Sequence, residues 1–174
     1  MNKVKKWAGL CALCICMLKM QPIDAAAHAQ FSSLISQSPG SYKGGVIKFD
    51  QTDAANNITL SPSKTKITIK ESGVYFLTAV GTVGAMVVGG KGYMDFWFIK
   101  NQAPLPNSNS RVAIPEYAAI ASVTTSFITS LVAGDEISVG FSSSSPSLGF
   151  IYVQPENEPA TTSITLSMFT LNSR

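Results

Sequence analysis

The residues that most often carry protein chemistry are concentrated at one end of this sequence. All three cysteines, Cys11, Cys14 and Cys16, and the single histidine, His28, lie within the first 29 residues. A chain shortened by that segment has no thiolate, no imidazole and no Cys/His metal site. Catalysis by a Ser-His-Asp or Cys-His arrangement would then lack its general base.

The first 29 residues have the layout of a secretory signal peptide. A lysine-rich start, an apolar run over 8–18 and the small-x-small triplet Ala27-His28-Ala29 follow one another. The apolar run is shorter than the ~20 residues that cross a bilayer as a helix. None of the cysteines follows the small-residue run expected ahead of a lipidated cysteine. We therefore predict cleavage near Ala29, a mature domain over 30–174, and a secreted, periplasmic or cell-surface protein.

The charge of the predicted mature chain is balanced. Four of the thirteen basic residues and one of the ten acidic residues lie in the first 29, which leaves nine of each sign. Nucleic-acid binding needs a clustered basic face, and the balance gives no support for one. At 145 residues the remainder suits a single domain that buries roughly two thirds of its unfolded surface.

The remaining acidic residues could act as metal ligands or as a catalytic pair. Asp135 and Glu136 could bind Ca²⁺, but such a site needs six to eight oxygens, and the other acids are scattered. Paired carboxylates for glycoside hydrolysis could come from the set Glu116, Asp135, Glu136, Glu156 and Glu158. Glu156 and Glu158 are read more simply as solvated turn residues between prolines. We therefore predict no enzymatic activity, no catalytic residue, no metal site and no cofactor, with Ca²⁺ as the remaining alternative.

Alternating hydrophobicity indicates the elements that would position these residues. "TKITIK" and "EISVGF" each place apolar residues on one face and polar residues on the other, which is typical of half-buried strands. Gly, Pro, Asn and Ser fill the gaps between such segments. About ten short strands and no helix predict an all-β protein, a two-sheet antiparallel β-sandwich of jelly-roll type or a barrel. The strands are expected at about 31–36, 45–49, 58–60, 65–70, 73–83, 93–100, 121–131, 136–142, 148–153 and 162–171.

Two predicted strands are apolar on both faces. In "GVYFLTAVGTV" and "MDFWFIK" the apolar residues do not alternate with polar ones. A strand of this kind needs two covers. One is the opposing sheet, and the other is a loop, a neighbouring subunit or a ligand. Core packing is expected for Tyr75 and Trp97, which lie inside these segments.

Gly134 and Asp135 lie in "LVAGDEISVGF", between two alternating segments. Glycine accepts a positive φ without a Cβ penalty, and an aspartate carboxylate accepts hydrogen bonds from nearby backbone N–H groups. We predict that this pair forms a structural turn.

Several short motifs occur in one order along the chain: "AQFSSLIS", "ESGVYFLTAV", "FIKN", "SLVAGDEISV" and "LSMFTL". In this respect the sequence resembles the jelly-roll superfamily of tumour necrosis factor (TNF) and the C1q globular head. Gly73 and Tyr75 match the Gly-x-Tyr strand, and Leu131, Gly134 and Asp135 match the Leu-x-x-Gly-Asp turn. The terminal "LSMFTL" matches the closing aromatic strand, although Met168 stands where the C1q-type motif has Gly. The chain has no collagen-like stalk, and its composition favours a bacterial origin.

The resemblance implies a non-enzymatic, homotrimeric recognition module. It places the closing strand and the Gly73 strand in the sheet that faces the threefold axis. Tyr75, Phe76 and Phe169 then become candidates for the trimer interface or the inter-sheet core. Loops near 101–120 and 142–161 would contact a protein or glycan ligand. Two alternatives remain: a monomeric carbohydrate-binding β-sandwich that uses an exposed aromatic such as Tyr117, and a structural coat or surface-layer subunit.

Overall fold

The computed structural model describes residues 26–40, 44–115 and 120–171. Within these ranges the regular structure is entirely β, as the alternating patterns predict. No helix among these residues has the length and apolar character needed to cross a membrane. The described part of the chain contains thirteen strands: β1 (His28–Ser33), β2 (Gly45–Val46), β3 (Gln51–Asn56), β4 (Ile58–Leu60), β5 (Ile67–Ile69), β6 (Gly73–Ala85), β7 (Gly92–Lys100), β8 (Ala103–Pro104), β9 (Ser110–Ile114), β10 (Ala121–Leu131), β11 (Glu136–Ser143), β12 (Leu148–Phe150) and β13 (Ile164–Thr170).

The strands form two antiparallel sheets. Sheet A has the order β10-β6-β13-β1-β3, and β12 also pairs with β6. Sheet B has the order β4-β5-β11-β7-β8, with β2 paired to β11 and β9 paired to β7. Strands adjacent in each sheet are mostly far apart in the sequence, as in Greek-key sandwiches. The prediction of a two-sheet antiparallel sandwich is confirmed.

The core lies between the sheets and is built from alternate residues of the long strands. On β6 the inward side chains include Tyr75 and Leu77, both fully buried. On β7 they include Phe96 and Phe98, which are also buried. Phe150 joins the sheets, because its ring makes edge contacts with Phe96 at 5.7 Å and with Phe141 at 5.5 Å between centroids. Interdigitated aromatic and branched side chains from two inner faces are the usual core of a sandwich.

Most strand predictions agree with the structure, and the differences fall on polar or proline-rich segments. The strand over Gln51–Asn56 was not predicted, because its residues are polar and mostly exposed, so that no apolar alternation marks it. The prediction of a loop over 101–120 was wrong for Ala103–Pro104 and Ser110–Ile114, which both pair with β7.

The first strand begins before the predicted mature boundary. Ala27 and Ala29 are buried, and the carbonyl oxygen of Ala27 accepts a hydrogen bond from Thr170 N at 2.9 Å. His28 therefore belongs to β1.

Candidate functional site: an apolar patch on the outer face of sheet A

The outer face of sheet A carries a row of apolar side chains across its central strands. The register places Ile128 of β10 opposite Phe76 of β6, and Phe76 opposite Phe169 of β13. The Phe76 and Phe169 rings lie 5.4 Å apart between centroids. Ile128 is 58% exposed and Phe169 is 43% exposed, although both are strongly apolar. With Val80 and Leu171, also exposed on this face, these residues form what we call the sheet A patch.

Strand alternation explains why β6 is apolar on both faces. Tyr75 points inward, is fully buried and donates its hydroxyl hydrogen bond to the carbonyl oxygen of Glu71 at 2.7 Å. Burial, and then the charge of Glu71, raise the pKa of the Tyr75 hydroxyl. Phe76, the next residue, points to the opposite face, because successive side chains on a strand alternate. Of the three candidates from the sequence, Tyr75 therefore lies in the inter-sheet core, whereas Phe76 and Phe169 lie on the outer face.

The strands that carry the patch have no charged residue. The ranges Gly73–Ala85, Ala121–Leu131 and Ile164–Thr170 contain neither Lys, Arg, Asp nor Glu. Between these strands polar contacts are made by neutral groups, such as the hydrogen bond of 3.0 Å from Ser126 Oγ to Thr78 Oγ1. The charge of sheet A lies at its edge, where Asp53 of β3 accepts a hydrogen bond from Gln30 Nε2 at 3.5 Å. Depletion of charge around exposed aromatic and aliphatic residues is typical of the buried centre of a protein interface.

Gly134 and Asp135 lie in the short segment that joins β10 to β11. Gly134 has a φ of +97°, which favours glycine. One carboxylate oxygen of Asp135 accepts a hydrogen bond from Val132 N at 2.9 Å and pairs with Lys100 Nζ at 2.8 Å. The other accepts a hydrogen bond from Asn101 Nδ2 at 2.7 Å. Burial alone would raise the pKa of Asp135, but these hydrogen bonds and the Lys100 charge hold the pKa below its ordinary value. The carboxylate is therefore fully engaged in holding the turn.

The described acidic residues that were considered as metal ligands or as a catalytic pair have different surroundings. Glu136 points away from the turn and forms an ion pair of 2.8 Å with Lys66. Glu156 and Glu158 are exposed in the segment before β13, whereas Glu116 and Tyr117 lie outside the described residues. Among the residues that the structure describes, no group of three or more His, Cys, Asp or Glu could hold a metal ion.

A second polar cluster was not recognised from the sequence. Asp95 lies on the outer face of sheet B and forms a two-point ion pair with Arg111, with Nε–Oδ1 and Nη2–Oδ2 distances of 2.9 Å each. Asn109 Nδ2 also donates to Asp95 Oδ1, at 3.0 Å. The pairing of β7 with β9 places Arg111 opposite Asp95. The sequence could have indicated this cluster only if strand β9 had been predicted.

Comparison with known proteins supports the fold class. The sequence matches no family model and no curated protein sequence. Among solved structures the chain is similar to murine APRIL, a TNF-family jelly roll, from a crystal structure determined at pH 5.0. The TM-score is 0.55 at 12% sequence identity, and the match covers 84% of this chain and 100% of the other. The two-sheet sandwich is therefore a TNF-like jelly roll.

Proposed function

We propose that this chain is an exported, non-enzymatic recognition module of TNF-like type that assembles as a homotrimer through the sheet A patch. The observation that carries the proposal is the combination of exposed Phe and Ile side chains with three neighbouring strands that lack any charge. Contiguous exposed apolar patches are unusual on monomeric proteins and mark interaction surfaces. A second and third copy of the chain would remove this surface from water.

The TNF-like fold supports the choice of three copies. A closed symmetric assembly buries the same patch on every subunit and leaves none exposed, whereas an open arrangement would continue into a filament. In the proposed trimer the loops at the ends of the sandwich remain accessible and contact the protein or glycan ligand.

Light scattering of the purified chain from Ala26 onward tests the assembly, because that segment contains every described strand. We expect a discrete particle of three copies at micromolar concentration. A monomer would overturn the proposal, and large ordered assemblies would favour the alternative of a coat or surface-layer subunit.

Export also makes a prediction about the first strand. Cleavage after Ala29 would remove His28 and Ala29 from β1 and would break the hydrogen bond between Ala27 O and Thr170 N. The carbonyl oxygen of Ala26 also accepts a hydrogen bond from Asn56 Nδ2 at 3.4 Å. We therefore expect the mature N terminus at or before Ala26. Intact-mass measurement of the exported chain checks this, and a chain beginning at Gln30 would contradict it.

A further inference from the structure

The outer face of sheet B contains an open pocket beside the indole ring of Trp97. Its volume is about 320 Å³. Trp97, Pro104 and Leu105 give the pocket an apolar side, and Asp95, Asn109 and Arg111 give it a polar side. An apolar wall with a few fixed polar groups is the usual composition of a small-molecule site.

Trp97 does not pack in the core, and the prediction that it would was wrong. It lies on the outer face of β7, half-buried, between the inward-facing Phe96 and Phe98. The indole covers the backbone of Gly140 on β11, where a Cβ atom would approach Trp97 Cε2 to 2.7 Å. Glycine at 140 therefore allows the ring to lie against the sheet.

The position of the indole N–H is unusual for a residue that only fills space. Trp97 Nε1 is buried and has no hydrogen-bond partner among the residues that the structure describes. A buried donor without a partner is destabilising, and native structures keep few of them. Because this N–H group is buried, a ligand in the pocket would contact the exposed part of the indole ring and not Nε1.

The polar side of the pocket is held in place before any ligand binds. Asp95 is 7% exposed, and its carboxylate is fixed by Arg111 and Asn109. The Arg111 guanidinium also lies 4.0 Å from the centroid of the Tyr93 ring. The Arg111 side chain remains 60% exposed, and three of its five N–H groups are not used by Asp95. Those hydrogens can donate to a ligand.

A second depression lies next to the first on the same face. Its volume is about 210 Å³, and Ile99, Ser138, Lys66 and Glu136 are among its lining residues. Trp97 lines the first depression and Ile99 the second, and these alternate residues of β7 are about 7 Å apart along the strand. Each contains an oppositely charged pair, Arg111 with Asp95 and Lys66 with Glu136. The surface is thus neutral along its length.

We propose that this pair of depressions binds a neutral oligosaccharide, with one sugar ring stacked on Trp97 and the next above Ile99. A pyranose ring presents C–H groups on its flat face, which suit an indole, and hydroxyl groups at its edge, which suit Arg111 and Asn109. The balanced charge pairs give no net attraction for a phosphorylated or polyanionic ligand. The site is distant from the sheet A patch, so the inference does not require the trimer.

Trp97 provides a direct signal for the test. The chain has two tryptophans, Trp7 and Trp97, so a protein that begins at Ala26 contains Trp97 alone. A glycan array of neutral and sialylated oligosaccharides identifies the best binder, and cellotetraose, chitotetraose and mannotetraose serve as defined probes in fluorescence titrations. We expect a neutral glycan to bind, to change Trp97 emission and to reduce its quenching by acrylamide.

Three substitutions test whether the glycan binds at the proposed depressions. Trp97→Ala should weaken binding at least about tenfold, measured by calorimetry, as for other buried aromatic anchors. Asn109→Ala, which removes one rim side chain, should weaken it less. Tyr152→Ala changes an aromatic residue outside both depressions and should leave binding unchanged. Thermal unfolding and light scattering of the same samples report the fold and the oligomeric state separately.

The inference is overturned if no neutral glycan binds at millimolar concentration, or if Trp97→Ala is folded and binds as well as the parent chain. Exclusive binding of sialylated glycans would also overturn it, because that ligand class is anionic. Should Trp97→Ala fail to fold, Asn109→Ala and the Trp97 fluorescence change decide the outcome.

Discussion

The two sheets of this sandwich have different outer faces. On sheet A the three adjacent strands β10, β6 and β13 contain no charged residue, and Phe169 and Ile128 are exposed. On sheet B the corresponding face contains two ion pairs, Lys66 with Glu136 and Arg111 with Asp95. Both sheets contribute equally apolar inner faces, so the core does not require this difference. The two proposals made above assign different roles to these faces, namely protein contact to sheet A and binding of a soluble ligand to sheet B.

The largest effect is expected when a charge is placed on the sheet A patch. Ile128→Lys would bring equivalent lysines into the proposed interface, where an unpaired charge costs about 3 kcal/mol or more. We expect the trimer to dissociate, with an affinity loss of at least about a hundredfold. Light scattering over a concentration series measures this change.

Val132→Lys is the matched control for that experiment. Val132 is 57% exposed, close to the 58% of Ile128, but it lies in the turn after β10. The control should remain trimeric. If both variants or neither dissociate, the assembly does not use the sheet A patch.

A smaller effect is expected at the charged end of sheet B. Three groups now donate hydrogen bonds to the Asp135 carboxylate: Val132 N, Asn101 Nδ2 and Lys100 Nζ. The Asp135→Asn substitution places an amide NH₂ group, itself a donor, next to at least one of them. A lost buried hydrogen bond to a charged group costs about 1.5–3 kcal/mol. The free energy of unfolding, measured with urea, should fall by this amount.

The same residue makes stability depend on pH. Because the folded-state pKa of Asp135 is lowered, its contribution is complete above the unfolded pKa of about 3.9 and is lost as the pH falls through the folded pKa. The pKa values of Asp50 and Asp95 are also lowered, since hydrogen bonds outweigh the opposing effect of burial. Asp135→Asn should therefore reduce, without abolishing, the loss of stability below pH 4. An unchanged acid profile would contradict this assignment.

The smallest effect is expected for the exposed pair on sheet B. The side chains of Lys66 and Glu136 are 42% and 36% exposed, so solvent screens their attraction. Lys66→Gln should change the free energy of unfolding by at most about 0.5 kcal/mol. Urea unfolding at low and high salt checks this, and a change above 1 kcal/mol would show that the outer face of sheet B is more tightly packed than its exposure indicates.

Strands that follow a simple rule of burial were predictable from the sequence. Ile67–Ile69 and Glu136–Ser143 alternate in hydrophobicity, and the apolar segment over 73–83 predicted the strand β6. The edge strand β3 could not be found in this way, because four of its six residues are exposed and its place depends on pairing with β1. Strand β9 was not predicted, because the Pro and Asn residues around it indicate a loop.

The sequence by itself determined the fold class and the absence of charge from the three strands β6, β10 and β13, because both follow from local residue types and their alternation. The tertiary structure decided that Tyr75 is core while Phe76 and Phe169 are surface, since alternation alone does not say which side faces the other sheet. It also placed Trp97 against Gly140 and joined Asp95 to Arg111. These contacts depend on strand pairing between distant segments, for which no local pattern exists.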